Sequence, residues 1–122
     1  MEKWRKKGIE PSKNYSRLYF LFLAAVLIYC GILLLKRAVS QKKPVIFSIV
    51  IDEGFDKITA PFIWKERCGR MEQTHTMVIA GYDDSRNAFL VMNSWGTSWG
   101  DKGFIWIDYH FFSSNAYLMA TY

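Results

Sequence analysis

His75 and Asn93 are two residues whose types and positions suit them to act on one another. They bound the front of a stretch that runs to Ile107: H-T-M-V-I-A-G-Y, then F-L-V-M-N-S-W-G-T-S-W-G-D-K-G-F-I-W-I. The pattern reads as strand, turn, strand, Gly-rich loop, strand. His75 opens the first strand and Asn93 closes the second, so an imidazole and an amide at neighbouring strand ends can meet side by side. An amide oxygen that accepts a ring N–H fixes the tautomer and plane of a general base.

The elements that must position this pair are short. Pro44 to Ile51 is a nearly continuous β-branched run and reads as a buried strand. Asp52 to Thr74 carries Gly54, Pro61 and Gly69 and reads as loop, with Phe55, Phe62, Ile63 and Trp64 tucked onto the strands. His75–Tyr82 and Ala88–Met92 are strands joined by a hairpin loop rich in Asp, Ser and Asn. Gly103–Tyr109 and Ala116–Tyr122 are the last two, and His110 between them is expected at the surface. Gly96, Gly100 and Gly103 free the backbone for tight turns, and the dinucleotide spacing G-x-G-x-x-G is absent. Asp83, Asp84 and Asp101 are expected as turn formers.

The 122 residues suffice for one small domain. With 51% hydrophobic and 17% aromatic residues, the composition excludes a disordered chain. The net charge of +5 is uneven: residues 1–17 hold Lys3, Arg5, Lys6, Lys7, Lys13 and Arg17 against Glu2 and Glu10. Such a flank suits nucleic acid or a membrane. The uncharged run that follows, Leu18–Leu35, decides for the membrane and against nucleic acid. As a helix it spans about 27 Å, close to a hydrocarbon core of about 30 Å. The division expected is therefore 1–17 basic flank, 18–35 hydrophobic helix and 36–122 globular. The excess of Lys and Arg before the run over Lys36, Arg37, Lys42 and Lys43 after it places the globular part outside. A competing division ends the span near Ile32 and gives Leu33–Gln41 to an amphipathic helix of the domain. Cys30 lies in the apolar run and Cys68 in a polar loop, so no disulfide is expected. Cys68, His75 and His110 lack the number and spacing of a zinc site, and no cofactor is expected.

N-S-W-G-T-S-W-G-D-K-G-F-I-W-I, preceded by a strand that runs from histidine to G-Y, resembles the C-terminal half of papain-like cysteine peptidases. The likeness extends back through Lys43-Pro44-Val45-Ile46 and covers roughly Leu33 to Tyr122. It implies a small antiparallel β domain like the right-hand half of the papain fold, and with the hydrophobic, transmembrane helix before it the class expected is α+β. It implies that His75 is the catalytic base, Asn93 its orienter and Trp95 the indole that covers their hydrogen bond. It also implies proteolysis of peptide or protein substrates by a thiol mechanism. The family's nucleophile sits in a C-G-S-C-W type motif 130–150 residues upstream of the histidine, and only 74 residues precede His75. No nucleophile is therefore expected in this chain, and a Cys-bearing N-terminal half in trans becomes an expected partner. Cys68 has the basic neighbours Arg67 and Arg70 that could activate a thiol, but it lies on the wrong loop. The alternative expectation is a membrane-tethered relative that binds peptides or proteins without cleaving them.

Overall fold

The structure, a computed structural model, describes residues 13–121. Most of the basic flank and Tyr122 lie outside these residues. The chain forms two units, Met1–Cys30 and Gly31–Tyr122. Helix α1, Lys13–Ser40, runs through the boundary between them. Its stretch Arg17–Ser40 is long and apolar enough to cross a membrane, a property that a signal sequence near the N-terminus shares. From Leu18 to Leu23 every side chain is exposed, as an apolar run without a protein partner must be.

The last turns of α1 behave differently. Ile32, Leu35, Ala38 and Val39 recur at helical spacing and pack against the core of the second unit. One helix thus carries both an apolar run and an amphipathic end, and the two stretches that compete in the sequence overlap at Leu33–Leu35.

The sheet has six strands: β1 Val45–Asp52, β2 Ile63–Trp64, β3 Met71–Asp83, β4 Ala88–Met92, β5 Phe104–Asp108 and β6 Tyr117–Thr121. Their order is β2-β5-β4-β3-β1-β6. All pairings are antiparallel except that of the two-residue β2 with β5. The α+β class holds, and the parallel pair is an addition that the sequence pattern does not signal. Strand β3 is longer than expected, because Met71–Thr74 continue its pairing with β1. Period-two alternation turns Met77, Ile79, Phe89, Val91, Ile105 and Ile107 inward, where they meet Phe47, Ile49 and Ile51 of β1. Phe55 and Trp64 are buried as expected, whereas Phe62 and Ile63 remain substantially exposed. A short helix that the sequence pattern does not signal, α2 Tyr109–Asn115, follows β5. Asp108 caps it, its Oδ1 accepting from the backbone N–H of His110 and Phe111 at 2.9 and 3.0 Å. The helix closes one side of the core with Phe111 and Phe112 and leaves His110 exposed.

Lys36 fastens the end of α1 to the β3–β4 hairpin. Its ammonium lies 2.9 Å and 3.1 Å from the two carboxylate oxygens of Asp84 and rests over the rings of Tyr82 and Tyr109. Tyr109 donates its hydroxyl to Asp84 Oδ1 at 2.8 Å. Asp84, expected only to form a turn, is also the hub of this network. The hydrogen bonds from Lys36 and then Tyr109 hold its carboxyl below the usual range. Burial first, and the bond to Asp84 second, push the Tyr109 phenol well above its ordinary value. The signs follow. Asp84 contributes stability that is whole above the ordinary carboxylate range and disappears as pH falls through its lowered value. Tyr109 contributes stability that is whole below pH 10 and disappears as pH rises through its raised value. In Asp84→Asn, the Tyr109 phenol should ionise at lower pH than in the wild type but still above an ordinary tyrosine, because burial remains. Phenolate absorbance during an alkaline titration measures this, and an unchanged curve would disprove the coupling.

Candidate active site

His75 lies in β3 opposite Ile49 of β1, at the end of the inward row that continues as Met77 and Ile79. Asn93 follows β4 directly, two residues beyond the buried Val91, and faces the same side by alternation. Pairing of Val78 with Met92 sets both residues at one end of the sheet. There Asn93 Oδ1 lies 2.7 Å from His75 Nε2. The same oxygen accepts the backbone N–H of Ser94 at 2.8 Å.

The second bond settles the chemistry of the first. A backbone N–H can only donate, so the atom facing Ser94 must be the amide oxygen. An oxygen accepts, so His75 Nε2 carries the proton in the neutral ring and Nδ1 keeps the lone pair. Nδ1 has no partner among the described residues and is not sealed from solvent. This imidazole can take a proton at Nδ1 or hold one there. The cost is on the other side of the amide: Asn93 Nδ2 is buried without a partner, a penalty of about 1–3 kcal/mol.

Aromatic rings enclose the pair. Trp95 lies over His75, ring centroids 4.8 Å apart and 37° from parallel. Phe55 approaches His75 at 6.1 Å and Trp95 at 5.5 Å, edge to face. Trp99 backs both Trp95 and Phe55 and donates its indole N–H to the Phe55 carbonyl at 2.8 Å. Trp95 itself is 37% exposed, so it forms the outer wall. Of these rings, the sequence motif assigns only Trp95 to the pair. Phe55 comes from the loop after β1, and no spacing in the sequence ties it to His75.

The loop Asn93–Gly103 is closed by backbone bonds. Asn93 N donates to Gly103 O, Gly103 N to Trp99 O, and Gly100 N to Ile58 O, at 3.0, 2.8 and 2.7 Å. Gly100 has φ +60°, and a β-carbon there would fall 2.5 Å from the Phe104 carbonyl oxygen. Gly96 also has positive φ but open space around it.

Cys68 stands apart from the pair. Its N–H donates to Asp52 Oδ2 and its carbonyl accepts from Gly54, at the far end of β1 from α1. It lines a cleft of about 140 Å³ with Phe55, Ile58, Phe62 and Trp64. The basic neighbours do not serve it. The Arg67 guanidinium bonds the Val50 carbonyl and Asn115 and lies over Trp64 and Phe111, while Arg70 pairs with Glu53. Both cysteines are unpaired. Among the described residues, no group of three or more His, Cys, Asp or Glu is placed to hold a metal ion.

A family model described as papain family cysteine protease matches residues 33–120. The chain is 33% identical over 75 residues to cathepsin K of Mus musculus and 35% identical over 77 residues to a cathepsin L-like protein of Caenorhabditis elegans. These alignments cover 57% and 58% of the chain and 22% of each relative, so the chain spans about a fifth of their length. Its structure is similar to xylellain, a cysteine protease from Xylella fastidiosa, with TM-score 0.56, 22% identity, 67% of this chain and 32% of that one. It is also similar to a cysteine protease of Carica candamarcensis, with TM-score 0.52, 22% identity, 71% of this chain and 42% of that one.

Two outcomes are expected. Nitrogen NMR of the neutral His75 ring should show the proton on Nε2, and Asn93→Ala should mix the tautomers. A ring protonated on Nδ1 in the wild type would contradict the orientation of the Asn93 amide. Gly100→Ala should lower stability by about 1–3 kcal/mol through strain and the clash with Phe104. Gly96→Ala should cost less, since only the positive φ opposes it. Urea unfolding midpoints compare the two, and equal losses would refute the steric account.

Proposed function

The chain belongs to the papain family of cysteine proteases, and from that premise we propose that residues 33–120 form the base-bearing half of a thiol peptidase site. In this reading His75 is the catalytic base, Asn93 orients it, and Trp95 shields their bond from water. A Cys-bearing half, linked or in trans, brings the thiol and the oxyanion donors. His75 Nδ1 takes the thiol proton, leaving a thiolate–imidazolium pair, and returns the proton to the leaving amine of a peptide substrate. The observation that carries this reading is the 2.7 Å bond from His75 to an amide whose orientation Ser94 fixes. It leaves the lone pair of Nδ1 available without any rearrangement.

A hydrogen bond exposed to water nets only about 1 kcal/mol, and a buried one resists exchange with water. The apolar run of α1 anchors the domain to a membrane, with the domain on the outer side.

These 122 residues alone should cleave no peptide bond. Loss of the nucleophile from a coupled set costs about 10⁶-fold in kcat, because its members act as a unit. An epoxide inhibitor of papain-like enzymes should label Cys68 slowly, and equally in the wild type and in His75→Ala. A chimera that carries residues 33–120 in place of the matching part of a cathepsin L-like peptidase should be labelled rapidly at the peptidase's own cysteine. His75→Ala in that chimera should slow labelling by at least about 10²-fold. Labelling of a folded chimera that ignores His75, or rapid His75-dependent labelling of Cys68 in the chain alone, would overturn the assignment. Peptide binding without any His75-dependent labelling would point to a tethered binding protein.

A further inference from the structure

We propose that the groove between the last turns of α1 and the edge strand β6 is a lipid-facing surface. It would sit against the upper acyl chains of the leaflet that the apolar run enters. The inference rests on reading that run as a membrane span and adds to it a second point of contact, on the globular unit itself.

The groove has a volume of about 180 Å³ and is lined by Leu34, Leu35, Ala38, Val45, Met119 and Ala120, with Thr121 at its end. Its rim is apolar and open. Leu34 is 67% exposed and Met119 50%. Apolar side chains grouped in this way mark an interaction surface rather than a solvated one.

Sequence position says which partner. Leu34 belongs to the apolar run that ends at Leu35, so as part of a span it lies in hydrocarbon at the end of the crossing. Arg37 follows three residues later, next to Leu34 on the helix surface, and is exposed. Within that one turn of about 5.4 Å the environment must change from acyl chain to headgroup, with the guanidinium reaching outward. Met119 and Ala120 wall the same groove as Leu34 and Leu35, so they come to the same depth.

Charge agrees with this placement. Arg37 near the end of α1 and Lys42 and Lys43 in the turn after it are exposed, and no acidic residue occurs between Arg17 and Ile51 or between Ala116 and Thr121. These side chains can reach the phosphates of phospholipid headgroups while their stems lie along apolar surface. Strand β6 is an edge, and its outer N–H and C=O groups need water or headgroup partners. The contact is thus shallow, at the upper acyl segments.

The test uses the full chain in vesicles of phosphatidylcholine and phosphatidylglycerol. A nitrobenzoxadiazole label is placed at Met119→Cys in a Cys30→Ala, Cys68→Ala background. The control is Cys30→Ala labelled at native Cys68, near Asp52 at the opposite end of β1 from the groove. Flotation with the vesicles is measured first. The Met119→Cys label should then be quenched several-fold more by a lipid with a shallow nitroxide than by aqueous iodide, and the Cys68 label the reverse. Chain that does not float would overturn the span and this proposal together. Chain that floats while both labels answer only to iodide would overturn the groove contact and leave the span standing. A Met119→Cys label hidden from both quenchers, with cross-links between copies, would replace lipid by a second copy and overturn the proposal.

Discussion

The backbone N–H of Ser94 points at the side chain of the residue before it, and the Asn93 amide must turn its oxygen to meet it. That orientation makes Oδ1 an acceptor for His75 as well. It sets the ring tautomer and leaves the Nδ1 lone pair free for chemistry. Turning the amide over would set donor against donor at Ser94 and remove the acceptor from His75. The fold accepts a buried, unpartnered Nδ2 to keep this arrangement. Such a penalty is tolerated where a specific geometry is worth more than local stability.

The surrounding structure keeps that amide in place. Backbone bonds Asn93–Gly103 and Gly100–Ile58 pin both sides of the loop that carries Trp95 and Trp99. The indole of Trp99 then ties the loop to Phe55, which brings the segment after β1 against the imidazole. Strand β3 connects these parts, because it pairs with β1 along one edge and β4 along the other. The pair is therefore held by three separate pieces of chain, and a change at any of them reaches His75.

Helix α1 shows how a single element can meet two environments. From Leu18 to Leu23 it presents apolar side chains on every face, and from Ile32 its inward stripe packs on the core. Lys36, four residues after Ile32, flanks that stripe and fixes this end of the helix to the hairpin through Asp84. A helix with an all-round apolar surface has no preferred rotation, whereas one with a stripe does. The stripe and the lysine thus set the rotation of the end of α1 on the domain.

Much of the fold and the pair could be read from the chain. Short apolar runs at 45–51, 75–82, 88–92 and 104–108, rich in β-branched and aromatic residues, mark the strands, and side-chain direction within each is a local property. The period-two side-chain direction of strands sets His75 and Asn93 on one side at neighbouring strand ends. Helix α2 was not legible, since its seven residues between two strands are too few to show a helical period. Other features depended on tertiary structure. Phe55 against His75, Lys36 with Asp84 and Tyr109, and Arg67 over Trp64 and Phe111 join segments that no periodicity relates. Arg67 and Arg70 look like activators of Cys68 in sequence, yet the folded chain gives them other partners. The physical reason is the same in each case. Strand direction and helical stripes follow from backbone geometry over a few residues, whereas the partner of a side chain depends on which distant surface the fold brings within reach.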